Sequence, residues 1–170
     1  MPTLAQLAEL PASLREHHQF SGNFCAVSGF ECIAKLEGLL APTAFPLQSE
    51  PASEHKGFGP ADCGYLTGLG FAVHDEHYPS GQAASTVIQA ETDAGRFPLV
   101  SMPVQDAHEN WAYHVFLFAK HLDAVLFINP AEPCVILRGI DAIPQVLEIM
   151  RTQHPLQHHT VHLLTYQPAD

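Results

Sequence analysis

Residues 24–40 read FCAVSGFECIAKLEGLL. Cys25, Gly29, Cys32, Leu36 and Leu39 recur at steps of three and four, which sets them on one stripe of a helix. Phe30, Ile33 and Leu40 fill a second flank. A helix apolar on nearly every side is a buried helix, so the rest of the chain must supply the surfaces that cover it.

Downstream, Tyr113–Lys120 (YHVFLFAK) and Ala124–Asn129 (AVLFIN) are aromatic and β-branched, and apolar on both faces. A short polar link joins them, so they read as paired strands. Further strands are expected at Phe71–Val73, Phe97–Met102 (running into Pro103) and Val161–Tyr166. Short helices are expected over 61–69, over 82–94 (closed by Gly95) and over 140–152, with Pro144 in the last one's first turn. Residues 3–18 are a weak helical stretch broken at Pro11. Residues 41–60, with four prolines, read as a surface loop, and so do 74–81. Helices first and then mostly strands make an α+β domain, with the N-terminal helix packed on an antiparallel sheet. One domain is expected over residues 1–170, which is enough chain for a substantial core.

Composition narrows the function. With 46% apolar and 15% charged residues the chain reads as a soluble globular protein. A net charge of -11 with only seven scattered Lys and Arg argues against nucleic-acid binding, which needs a basic patch. No run of about eighteen apolar residues predicts a membrane span, and the first residues show no secretory signal. A cytoplasmic location with reduced thiols is the expectation. The four cysteines (Cys25, Cys32, Cys63, Cys134) lack C-x-x-C spacing, so zinc ribbons and redox dithiols are not expected.

An ordered set remains: Gln19, Cys25, His114, Asn129. Together these side chains supply an oxyanion donor, a nucleophile, a base and a group to orient the base. Cys25 falls at the N-terminal end of the buried helix, where unpaired N–H groups and the positive end of the dipole favour a thiolate. A free cysteine is ordinarily a small buried hydrophobe, a reading that suits Cys32, Cys63 and Cys134. A hairpin tipped at His121-Leu122 pairs positions summing to 243, which sets His114 opposite Asn129 on one face, with Cβ atoms about 4.5–5.5 Å apart. Asn129 precedes Pro130, which ends its strand.

On the segments QFSGNFCAVSGFECIAKLEG (19–38), AGRFPLVSM (94–102) and YHVFLFAK…VLFINP (113–130), the chain resembles the papain-like cysteine peptidases. Among these it is most similar to the compact bacterial branch that processes bacteriocin leaders at a double glycine. The resemblance covers roughly residues 15–135. It implies a papain-like fold, a peptide or protein substrate, no cofactor and no metal. It gives Cys25 the nucleophile's role, His114 the base's, Asn129 the orienting role and Gln19 the oxyanion donor's. Two positions depart from the branch: Ala26 follows the nucleophile where Gly is usual, and Asn129 stands where Asp is usual.

Three rivals stay open. Twelve histidines, with His74-Asp75-Glu76-His77 and with His154, His158, His159 and His162, raise metal binding, although no H-E-x-x-H spacing occurs. A domain with this triad can also serve as a non-catalytic binding module. Or the thiol chemistry can end on another acceptor, as in an amidase, deamidase, transglutaminase or acyltransferase.

Overall fold

The computed structural model describes residues 16–20, 24–50, 58, 62–105, 108–121, 124–130, 136–139, 143–153 and 160–170. In chain order these form α1 (Cys25–Leu36), α2 (Gly64–Gly68), β1 (Phe71–Tyr78), α3 (Gly81–Asp93), β2 (Leu99–Gln105), β3 (Trp111–His121), β4 (Ala124–Asn129), β5 (Ile136–Gly139), α4 (Ile143–Gln153) and β6 (Val161–Pro168). The expected helix within 3–18 lies mostly outside the described residues, as does much of the 51–60 segment.

Six strands make one sheet in the order β1-β6-β2-β3-β4-β5, and every pairing in it is antiparallel. The architecture is α+β. Strand alternation divides the core in two. On one face Ala26, Val27, Phe30 and Ile33 of α1 pack with Leu99, Val115, Leu117, Leu126, Ile128, Leu164 and Tyr166. On the other, Ala84 and Ile88 of α3 and Ile143 and Leu147 of α4 pack with Val100, Met102, Phe116, Phe118, Val125 and Leu163. The sheet is thus the middle of three layers. Burying a side chain such as Phe30 or Ile33, both with no exposed surface, contributes about 1.5–3 kcal/mol each.

α1 is shorter than its apolar pattern. It stops at Leu36 because Gly38 takes φ 75°. The Leu39 N–H then donates to the Ala34 carbonyl at 2.8 Å and the Gly38 N–H to that of Lys35 at 3.1 Å, the two bonds of a Schellman stop. Leu39 is left half exposed instead of continuing its stripe. α3 closes the same way at Gly95, with Arg96 N–H on the Glu91 carbonyl and Gly95 N–H on that of Thr92, and Ser80 caps its start by accepting from the Ala83 N–H at 3.1 Å.

Three expectations are corrected. Residues 74–78 belong to a strand, not a loop: β1 is an edge strand paired only with β6, and an edge carries polar residues readily. β2 runs through Pro103 to Gln105. β6 covers only Leu99–Ser101 of β2, so the missing N–H of Pro103 falls where no ladder needs it. The β3–β4 hairpin turns one residue later than expected, pairing His121 with Ala124, so partners sum to 245. β5 was not foreseen.

Candidate active site

Cys25 is the first residue of α1. Its N-cap, Phe24, makes no side-chain cap bond, which leaves the N–H groups of the first turn without one from that position. One turn on, Gly29 lies so close to the sheet that a Cβ there would sit 3.2 Å from Leu99 Cδ1 and from Val115 Cγ1. Glycine at this point of the stripe lets the helix settle directly on β2 and β3. The consequence is felt at Cys25, whose sulfur reaches the β3 backbone: Sγ lies 3.9 Å from the Tyr113 carbonyl oxygen, and the Val115 N–H points at it. Those two peptide groups flank the Cα of His114. β2 occupies one edge of β3 throughout Trp111–Leu117, whereas β4 pairs only from Leu117 onward. The sulfur therefore meets β3 on the edge that β4 leaves open.

His114 and Asn129 are joined by a hydrogen bond of 2.8 Å between Nε2 and Oδ1. With the observed register Asn129 falls opposite Phe116, two residues from His114. A slip of two keeps every side chain on its face, and the pair meets along the diagonal instead of straight across. Because the partner is an amide oxygen, Nε2 donates and Nδ1 is the nitrogen with its lone pair free for a proton. The ring rests edge-on against Phe116, with centroids 4.9 Å apart. Cys25, His114 and Asn129 are all partly exposed.

By alternation His114 shares the face of Phe116 and Phe118, while α1 lies over the opposite face. Among the described residues no hydrogen bond links Cys25 Sγ to the imidazole; the sulfur's own bond goes to Tyr113. Burial pushes the Cys25 thiol up, against the N–H groups of Ala26, Cys25 and Val115, which pull it down. The expectation of a thiolate favoured by the helix end therefore meets a larger opposing desolvation. Sulfur and ring approach the same Cα of β3, one at the open edge and one from a face.

Gln19 lies on the segment before α1, and Gln48 grips the backbone on both sides of it. Gln48 Oε1 accepts from the Phe20 N–H at 2.7 Å, and its Nε2 donates to the His18 carbonyl at 3.0 Å. Beneath this segment runs a polar stripe of α1 that the sequence reading missed: Ser28, Glu31 and Lys35, all buried. Lys35 Nζ donates to His17 Nδ1 at 2.9 Å, which leaves His17 Nε2 to donate to Ser28 Oγ at 2.8 Å. Burial and the neighbouring Lys35 hold the His17 imidazole down at about 3. Glu31 Oε2 accepts from the Leu47 N–H at 3.0 Å, and burial pushes that carboxyl up. A polar residue at steps of three and four on an otherwise apolar helix was the signal available; its partners at 17, 47 and 48 could not be read locally.

The other thiols differ from Cys25. Burial drives both Cys32 and Cys63 up to about 12, and Cys134 lies outside the described residues. Of the histidines, His77 and His162 stack at 4.2 Å across β1 and β6. His162 Nε2 meets Asp75 Oδ2 at 3.2 Å, and His77 Nδ1 pairs with Thr160 Oγ1 at 3.0 Å. Among the described residues no group of three or more His, Cys, Asp or Glu is placed to hold a metal ion; His154, His158 and His159 lie outside them. Nor is any described helix long and apolar enough to cross a membrane. No known protein-family model matches the chain, and no curated protein is significantly similar to it.

Proposed function

We propose that the chain is a papain-like thiol hydrolase, a cysteine peptidase working through Cys25, His114 and Asn129. The observation that carries this reading is the His114–Asn129 hydrogen bond, formed where the Cys25 sulfur lies against the peptide groups on either side of His114. In that scheme Nδ1 of His114 takes the Cys25 proton as sulfur attacks a substrate carbonyl. The first N–H groups of α1 and the Gln19 side chain hold the oxyanion. The imidazolium returns the proton to the leaving amine, and water releases the acyl group from the thioester.

A peptide-library digest tests it. Wild type is expected to cleave, and Cys25→Ala to lose at least about a thousandfold in rate while keeping its thermal midpoint. Full activity in Cys25→Ala removes the reading. A digest run with added amines separates hydrolysis from transfer to another acceptor. The raised thiol pKa and the missing sulfur–imidazole bond favour one alternative, a domain of this fold that binds peptides without cleaving them. Slow iodoacetamide labelling of Cys25, no faster than that of an ordinary thiol at neutral pH, is what that alternative expects.

A further inference from the structure

The proposed chemistry needs Gln19 held in place, yet Gln19 sits on a segment that belongs to neither helix nor strand. Such a segment is ordinarily free to move by more than an oxyanion donor can tolerate. What restrains it comes from elsewhere in the chain. Gln48 is twenty-nine positions downstream, about 3% exposed, and its amide spends both ends on the backbone immediately before and after Gln19. The amide has one donor group and one acceptor in this geometry, and the two bonds define the peptide orientation on each side of a single residue. Gln48 is in turn seated on α1, because its neighbour Leu47 donates to Glu31 Oε2. Glu31 lies between Ser28 and Lys35, the residues that bind His17 at the other end of the same segment. The segment is thus fastened twice to the helix that carries Cys25.

We infer that Gln48 is a positioning residue for oxyanion stabilisation, clamping the peptide groups that flank Gln19 so that its side chain is held in register with the first turn of α1. This rests on the thiol-hydrolase reading and adds to it a residue from outside the triad and its family motifs. The role differs from general packing in what it should affect. Attack on an ester carbonyl builds an oxyanion and needs Gln19; displacement of iodide from iodoacetamide builds none and needs only the sulfur.

The test uses the full chain and two probes, p-nitrophenyl acetate for acyl transfer and iodoacetamide for alkylation, each corrected by Cys25→Ala for the other thiols. Gln48→Met keeps the volume and removes both bonds. It is expected to slow the p-nitrophenolate burst by about ten- to hundredfold, somewhat less than outright loss of a donor, with Cys25 alkylation within about twofold of wild type. Gln19→Ala should slow the burst at least as much, and Gln19→Ala with Gln48→Met should be no slower than Gln19→Ala alone. Gln48→Leu serves where Gln48→Met does not fold: it likewise removes the bonds to Phe20 and His18 without adding a charge beside Glu31, and it should slow the burst while sparing alkylation. The inference is overturned if Gln48 variants slow both probes alike, if they leave the burst intact while Gln19→Ala slows it, or if the two losses multiply in the double variant. A wild-type protein with no Cys25-dependent burst sinks the thiol-hydrolase reading itself, and the inference with it.

Discussion

Acid should weaken this protein through one buried imidazole. His17 is about 1% exposed, donates to Ser28 and accepts from Lys35, and is held at about 3 against an ordinary 6.5. In the unfolded chain the same ring takes up a proton as pH falls through 6.5. The folded protein refuses that proton until about pH 3, so between those values the unfolded state binds more protons and stability rises with pH. The contribution is complete above 6.5 and is withdrawn as pH falls toward 3. At about 1.4 kcal/mol per pKa unit, the loss attributable to His17 is about 2 kcal/mol at pH 5 and approaches about 5 kcal/mol at pH 3. Glu31 works in the opposite direction, because its raised pKa favours the folded state as pH falls. A differential measurement is therefore required. His17→Gln keeps one donor and one acceptor and cannot titrate. Urea unfolding of both proteins at pH 7.5 and 5.0 should show wild type losing about 2 kcal/mol more than the variant over that interval. An equal loss in the two proteins, or a His17 ring resonance titrating near 6.5 in the folded state, would refute the reasoning.

Gly29→Ala adds a Cβ 3.2 Å from side-chain atoms of Leu99 and Val115, which must then give by a few tenths of an ångström in a fully packed core. Overpacking of about 1–3 kcal/mol should exceed the gain of up to about 1 kcal/mol in helix propensity, so the urea midpoint falls and Cys25 becomes slower in acyl transfer; a higher midpoint contradicts the close-approach argument. Gly81→Ala is expected to be more severe, about 3 kcal/mol or more, because its Cβ would meet backbone, Glu148 N at 2.7 Å and the Pro144 carbonyl oxygen closer still. Thermal unfolding checks it, and a loss under about 1 kcal/mol would mean α3 and α4 adjust freely. Asn129→Ala removes the acceptor of the His114 Nε2 proton. Peptide turnover should fall at least tenfold in kcat with little change in KM, and an unchanged kcat would show that the bond does not serve turnover.

Much of this layout is legible in the sequence, and the reasons are local. α1, α3 and β6 declare themselves by their apolar pattern, and Gly95 closes α3 where expected, whereas α1 ends at Gly38 short of its apolar run. The His114–Asn129 contact was foreseen from a register that was itself displaced by two. It survived because an even displacement leaves both side chains on one face and a histidine is long enough to reach along the diagonal. An odd error would have put them on opposite sides of the sheet. What stayed hidden depends on partners distant in the chain. The polar half of β1 reads as loop until β6 is known to pair with it, and Pro103 reads as a strand end until β6 is seen to stop at Ser101. Ser28, Glu31 and Lys35 look like interruptions of an apolar helix, since nothing near them announces His17 and Gln48.

The raised pKa of Cys25 bears on mechanism in a specific way. Desolvation opposes a lone thiolate, since it removes the water that would stabilise the charge. The same low dielectric strengthens attraction between a thiolate and an imidazolium formed beside it. On the thiol-hydrolase reading, burial discourages ionisation of the sulfur by itself, so ionisation has to be coupled to proton transfer to His114, which is hydrogen-bonded to Asn129. On that view the bond from Sγ to the Tyr113 carbonyl is a resting contact, weak and readily exchanged, that keeps the thiol protonated until a carbonyl substrate displaces it. His114→Ala should then leave Cys25 an ordinary buried thiol whose alkylation climbs with pH through the alkaline range. Wild type should gain reactivity at neutral pH only where the ring can take the proton. If the two proteins alkylate with the same pH profile, sulfur and imidazole do not share a proton, and the triad is a juxtaposition without chemistry.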